Sequence, residues 1–165
     1  MPPQTERENV AVCEPWSIER ASRVISTFAG REGALMPMLH AVQQTFGYVP
    51  RQAVPLIAEA LNLSRAEVHG TISFYHDFRR EPPGRHVLKL CRAEACQALG
   101  ADQLHAQLQD QLRVGWHETT ADGSVTLEPV FCLGLCAVGP SALLDDTPLA
   151  RLDAEIIVDA LRDAA

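Results

Sequence analysis

The chain has 165 residues, with 14 Lys and Arg against 21 Asp and Glu, for a net charge of −7. This length suits one domain, or one compact domain with a small addition, and it can own a core without help from disulfides or metal. The acidic balance, with no basic run longer than Arg79-Arg80, argues against a nucleic-acid role, and no apolar run approaches the ~20 residues of a membrane span.

The N-terminal stretch MPPQTERENV lacks the basic start and apolar segment of a secretory signal, so the expected location is cytoplasmic. Residues 1–14 are polar and read as a flexible tail. A helical pattern begins at Trp16, with Ile18, Ala21, Val24, Ile25 and Phe28 on one face. Gly30 and Gly33 interrupt it. A second helix carries Leu35, Met38, Leu39, Val42 and Phe46, and Gly47 is placed to end it. After a turn at Tyr48-Val49-Pro50, a third helix carries Leu56, Ile57, Ala60 and Leu61, with Pro55 tolerable within its first turn. Ser64-Arg65-Ala66-Glu67 is a capping box for a short fourth helix. Pattern leaves Gly70–Tyr75 open between more helix and an aromatic-rich turn.

Arg80-Glu81-Pro82-Pro83-Gly84 is the clearest boundary, because two prolines and a glycine stop any regular element. Beyond it the pattern becomes mixed. His86–Leu90 reads as a short buried strand that delivers Cys91 at its end. Asp102–Leu112 reads as a helix with Leu104, Leu108 and Leu112 in line. Arg113–Glu118 and Ser124–Val130 read as strands around a turn at Ala121-Asp122-Gly123. Ala142–Leu144 and Pro148–Ala150 flank a turn at Asp145-Asp146. Asp153 is placed to cap a last helix bearing Ile156, Ile157, Ala160 and Leu161. The expected organisation is a tail at 1–14, a helical domain at 15–83 and an α/β domain at 84–165.

Five cysteines are present: Cys13, Cys91, Cys96, Cys132 and Cys136. Structural disulfides are uncommon in a reducing cytosol. Four of the five form two close pairs, Cys91-x4-Cys96 and Cys132-x3-Cys136, separated by 35 residues. Each pair follows a predicted strand, so each occupies a loop able to fold around a metal. Thiolates select zinc, copper(I) or iron–sulfur centres. Structural zinc favours Cys-x2-Cys knuckles, which are absent, and a binuclear cluster suits wider loops. The plant-type ferredoxin spacing is absent as well. Spacing alone therefore favours an iron–sulfur cluster and leaves zinc and unligated redox cysteines open. Gly134 inside the second loop, with Gly139-Pro140 beyond it, allows backbone N–H groups to approach sulfur. Two ferric ions, two sulfides and four thiolates carry a formal charge of about −2, and about −3 after one electron. Lys89 and Arg92 are the basic residues nearest in sequence, either facing that charge or simply solvated.

Together with Leu35-Met36-Pro37-Met38-Leu39-His40, Phe46-Gly47-Tyr48-Val49-Pro50, Glu67-Val68-His69-Gly70 and Ser73-Phe74-Tyr75, the segments Cys91-Arg92-Ala93-Glu94-Ala95-Cys96 and Cys132-Leu133-Gly134-Leu135-Cys136 with Pro140 make the chain recognisable. It resembles the 24-kDa-type subunit family of NADH:quinone oxidoreductase (complex I), with relatives in NAD-linked formate dehydrogenases and bidirectional hydrogenases. The resemblance implies a small helical domain before a thioredoxin-like domain, and one [2Fe–2S] cluster on Cys91, Cys96, Cys132 and Cys136. It also implies a larger iron–sulfur flavoprotein partner that holds FMN and the NAD site. Ala93-Glu94 departs from the Gly-Thr usual in complex I. Cys-Arg-Ala-Glu-Ala-Cys is more similar to the gamma subunit of soluble formate dehydrogenases, which implies a molybdenum- or tungsten-dependent catalytic subunit in the wider complex. An isolated chain of this kind is not expected to turn over formate or NADH.

The remaining candidates read more plainly. Cys13 has no partner at ligand spacing and is expected to be free. The six histidines show no His-x-x-x-His pattern, and His86 is superfluous beside four cysteines. Phe74, Tyr75 and Phe78 read chiefly as core, with a docking face as the alternative. No Gly-x-Gly-x-x-Gly occurs, so NAD is not expected on this chain. No residues around Ser17, Ser64 or Ser141 support a nucleophile, and the absence of Cys-x-x-Cys argues against thioredoxin-type dithiol chemistry.

Overall fold

The computed structural model describes residues 14–164. The fate of Cys13 and of nearly all of the predicted tail lies outside them. The chain divides into two compact units between Pro82 and Pro83.

The first unit is helical: α1 (Ile18–Ser26), α2 (Leu35–Phe46), α3 (Ala53–Leu61) and α4 (Arg65–Phe74). Ser17 caps α1 by accepting the Arg20 N–H. Glu14, just inside the described range, holds Arg20 at 2.8 Å and donates its N–H to Thr45. Met38, Leu39, Val42 and Phe46 of α2 are all buried, and Gly47 ends that helix in the left-handed region with φ 82°. The capping box forms as expected: the Ser64 hydroxyl accepts the Glu67 N–H at 3.1 Å, and the Glu67 carboxylate accepts the Ser64 N–H at 2.8 Å. That cap carries α4 through to Phe74, so the open stretch is helix almost to its end.

Three expectations for this unit change. Ala60 of α3 faces solvent, and the buried face is Ala53, Ile57 and Ala58. Ile18 is exposed as well. Of the aromatic trio, only Phe78 is core, against His40 with centroids 5.0 Å apart; Phe74 is 74% exposed and Tyr75 46%. α4 buries only Val68 and Ile72, so a residue six past Val68 points away from that stripe.

The second unit is a four-stranded sheet with helices: β1 (His86–Cys91), α5 (Glu94–Ala98), α6 (Ala101–Leu112), β2 (Val125–Val130), β3 (Ser141–Leu144), β4 (Thr147–Ala150) and α7 (Ala154–Ala164). Strand order is β2-β1-β3-β4, with β1 and β2 parallel and the other pairs antiparallel. Pro129 and Pro148 lack an N–H, and both sit in the outer strands, where a missing ladder bond costs least. Leu88, Leu90, Leu108, Leu127 and Ile157 form the buried centre. His86 is buried beneath the β3–β4 turn, where Asp145 accepts from its Nδ1 and from the Val87 N–H.

The strand expected at Arg113–Glu118 does not form. Arg113 and His117 both take positive φ, 54° and 65°, which an extended strand does not allow. His117 and Glu118 still exchange backbone bonds with Leu127, and one bridge joins Thr119 to Thr126. α5 was not legible: it has five residues and no apolar period. Asp153 caps α7 by accepting the Ile156 N–H at 2.8 Å, but Ile156 itself is exposed and Ile157 carries the packing.

Candidate metal centre

The sheet register creates the site. Parallel pairing sets Cys91 opposite Val130, the last residue of β2, so Cys91 and the loop that carries Cys132 leave the sheet at the same end. Antiparallel pairing of Leu90 with Ala142 brings the start of β3, Ser141, to that end too. The first loop folds straight into α5, which buries Cys96, while the second turns back through a 3₁₀ segment at Cys136–Val138.

The four sulfurs fall into an inner and an outer pair. Cys91 and Cys96 are buried, whereas Cys132 and Cys136 are exposed, with their sulfurs 3.8 Å apart. Cys132 has φ 90° and Gly134 φ 76°, and this tight turn lets the Gly134 N–H donate to the Cys132 sulfur at 3.4 Å. The left-handed geometry favours glycine at 134. At 139 the requirement is space, since an added Cβ would lie 3.3 Å from the Cys96 sulfur.

The two pairs meet. Burial pushes the Cys91 thiol up, but donors outweigh it and hold it below its ordinary value: the Ala93 N–H, the Cys96 thiol and the N–H groups of Cys132 and Leu133. The chain just past the second loop also closes on the first pair, since a Cβ at Gly139 would lie 3.3 Å from the Cys96 sulfur and 3.7 Å from the Cys136 carbonyl oxygen. Cys136 is held above the ordinary value by its hydrogen bond with Cys132, by the charge of Cys132, and further by those of Cys96 and Cys91. Repulsion among gathered thiolates is relieved by positive charge among them, and backbone N–H groups aimed at sulfur are the second layer a metal–thiolate centre uses. A [2Fe–2S] cluster suits this donor set, because it takes its thiolates two per iron. No three His, Cys, Asp or Glu side chains among the described residues are grouped to hold a single metal ion.

Several residues of the site carried no sequence signal. Ser141 is buried with its hydroxyl 3.6 Å from the Cys96 sulfur. Gln97 donates to the Arg92 carbonyl at 2.9 Å. Leu99 and Phe131 are large apolar side chains exposed beside the cysteines. Arg92 is not simply solvated, as its guanidinium lies 5.1 Å over the Trp116 ring. His86 is occupied by Asp145, and His105 packs edge-on to Trp116 with centroids 5.4 Å apart.

A mixed sheet with flanking helices, and four thiols gathered towards the carboxyl end of its one parallel pair, defines a small thioredoxin-like protein with a cysteine-lined site. The sequence model of the thioredoxin-like [2Fe-2S] ferredoxin family matches residues 21–165, and the chain belongs to that family. In Pseudomonas aeruginosa it is similar to the NADH-quinone oxidoreductase subunit designated E, with 36% identity over 143 residues, covering 87% of this chain and 84% of that one. It is 33% identical over 159 residues to the protein of the same name in Escherichia coli K12, covering 96% and 94%. Among solved structures, an NAD+-reducing [NiFe]-hydrogenase in the H2-reduced state superposes with a TM-score of 0.66 at 27% identity. The match covers 78% of this chain and 22% of that longer one.

Proposed function

We propose that this chain is a [2Fe–2S] electron-transfer subunit of an NAD-linked oxidoreductase complex, with Cys91, Cys96, Cys132 and Cys136 as the cluster ligands. The observation that carries the reading is the sheet register: parallel pairing sets Cys91 opposite Val130, two residues before Cys132, so both cysteine loops leave the sheet at one end. The family match and the NADH-quinone oxidoreductase relatives support it. When bound, such a cluster exchanges one electron at a time. This chain's own residues hold it, direct N–H groups and the Ser141 hydroxyl at its sulfurs, and shield its inner side with Cys91 and Cys96 at 2% and 1% exposure. The outer pair faces solvent, which is where a redox partner would approach.

That partner is an iron–sulfur flavoprotein carrying FMN and NAD(H), since a flavin converts two-electron hydride chemistry into single-electron steps. The parent complex is a cytoplasmic, NAD-dependent formate dehydrogenase with a molybdenum- or tungsten-dependent catalytic subunit. Cys91-Arg92-Ala93-Glu94-Ala95-Cys96 supports that choice. The relatives at 36% and 33% identity favour a second reading, the corresponding subunit of an NADH:quinone oxidoreductase. Among the described residues no helix is long and apolar enough to cross a membrane, which is compatible with both.

Isolation of the native complex through a tag on this chain tests the proposal. The expected result is an FMN-containing partner, a molybdopterin-containing one, and NADH-dependent appearance of a rhombic EPR signal from reduced cluster. Co-isolation of quinone-reducing membrane subunits would select the second reading. A chain that comes alone, with one zinc and no iron, would overturn both.

A further inference from the structure

Arg92 lies at the seam of the cysteine loops. It directly follows Cys91, and its N–H donates to the Val130 carbonyl at 2.7 Å, two residues before Cys132. Its carbonyl accepts from the side chain of Gln97, the residue after Cys96, at 2.9 Å. One peptide segment therefore ties together the chain around Cys91, Cys96 and Cys132. Its side chain does not join these bonds. The guanidinium lies over the Trp116 ring at 5.1 Å, and its Nε is buried without a hydrogen-bond partner. Trp116 packs against the apolar centre of the second unit, and buried His105 closes on it edge-to-face. Burial foremost, reinforced by the Arg92 charge, holds His105 below its ordinary pKa and outweighs the opposing pull of Asp102.

A buried guanidinium nitrogen without an acceptor is costly, and it persists only where another interaction holds the side chain. Here that interaction is the indole face. We propose that Arg92 and Trp116 act as a pair of positioning residues: their stack fixes the backbone of residue 92 and thereby the mutual placement of the two cysteine loops. The inference rests on the assigned metal centre for its purpose but not for its test.

The backbone bonds of residue 92 exist whatever its side chain, so substitution isolates the stack. Hydrogen exchange read by mass spectrometry on the purified full chain compares wild type with Arg92→Met, Trp116→Leu, the double variant and Trp116→Phe. The expected result is exchange about fivefold faster over residues 91–97 and 130–136 in each single loss-of-stack variant, from the strength of a desolvated cation–π pair. The double variant is expected to be no faster than either single one. Trp116→Phe retains a ring and recovers most of the protection, and residues 18–74 are unchanged throughout. Release of iron to a chelator, where iron is present, accelerates in parallel. Unchanged loops in Arg92→Met, or additive effects in the double variant, would overturn the proposal. Loops that loosen as expected in a protein carrying no iron would uphold the positioning role and defeat the cluster assignment.

Discussion

Replacing Ser141 by Ala should lower the reduction potential of the cluster. Ser141 and Cys96 are 3% and 1% exposed, and the hydroxyl and the sulfur are 3.6 Å apart. A ligating thiolate has no proton, so the hydroxyl must donate. A donor to a ligating sulfur favours the more negative, reduced state. A hydrogen bond to a charged acceptor has a net value of ~1.5–3 kcal/mol. Only its strengthening between the oxidised and reduced cluster affects the potential; taking that as about a third gives ~0.5–1 kcal/mol, or roughly 20–45 mV at about 59 mV per tenfold change for one electron. The assay is an EPR-monitored redox titration of the full chain. Ser→Ala removes one oxygen at a strand start, so cluster content should hold. An unchanged or raised potential in Ser141→Ala with a fully occupied cluster would refute the reasoning.

Other outcomes follow from the same geometry. Cys132→Ser should remove or badly weaken the cluster, while Cys13→Ser leaves iron content intact; equal losses would contradict the ligand assignment. Ser64→Ala removes the α4 cap and should destabilise the chain by ~1 kcal/mol in denaturant unfolding, with cluster spectra unchanged. Asp122 accepts from Thr120 and Ser124, which lowers its carboxyl from 3.8 to about 2. The turn stabilisation it provides is therefore present above the unfolded-state pKa and lost as pH falls through about 2. NMR titration should show this directly, and an ordinary value near 4 would contradict it.

Much of the architecture was legible where one physical signal dominates. Gly47, Ser64 with Glu67, and Asp153 mark helix ends through caps that need no tertiary partner. β1 was legible from its apolar run and β3–β4 from the Asp145-Asp146 turn. The failures have separate causes. Arg113–Glu118 has a strand-like composition, but left-handed backbone at Arg113 and His117 bends it, and nothing in the residue types announces that. α5 is too short to show a period, and Phe74 leaves the core because α4 has a narrow buried stripe. The cysteine pairs were visible as spacing and motif. What gathers them was not, because the pairing of Cys91 with Val130 and of Leu90 with Ala142 is a property of register. Ser141 and Trp116 enter the site's surroundings through that same register and through packing, so a single sequence offers no signal for either.

Iron and acid-labile sulfide, measured on anaerobically purified full-length protein alongside zinc and followed by EPR, test the central claim most directly. The account predicts about two irons and two sulfides per chain, as a [2Fe–2S] centre requires, no zinc, and a rhombic signal that appears only on reduction. A colourless protein with one zinc per chain, or a metal-free protein with four reactive thiols, would contradict it.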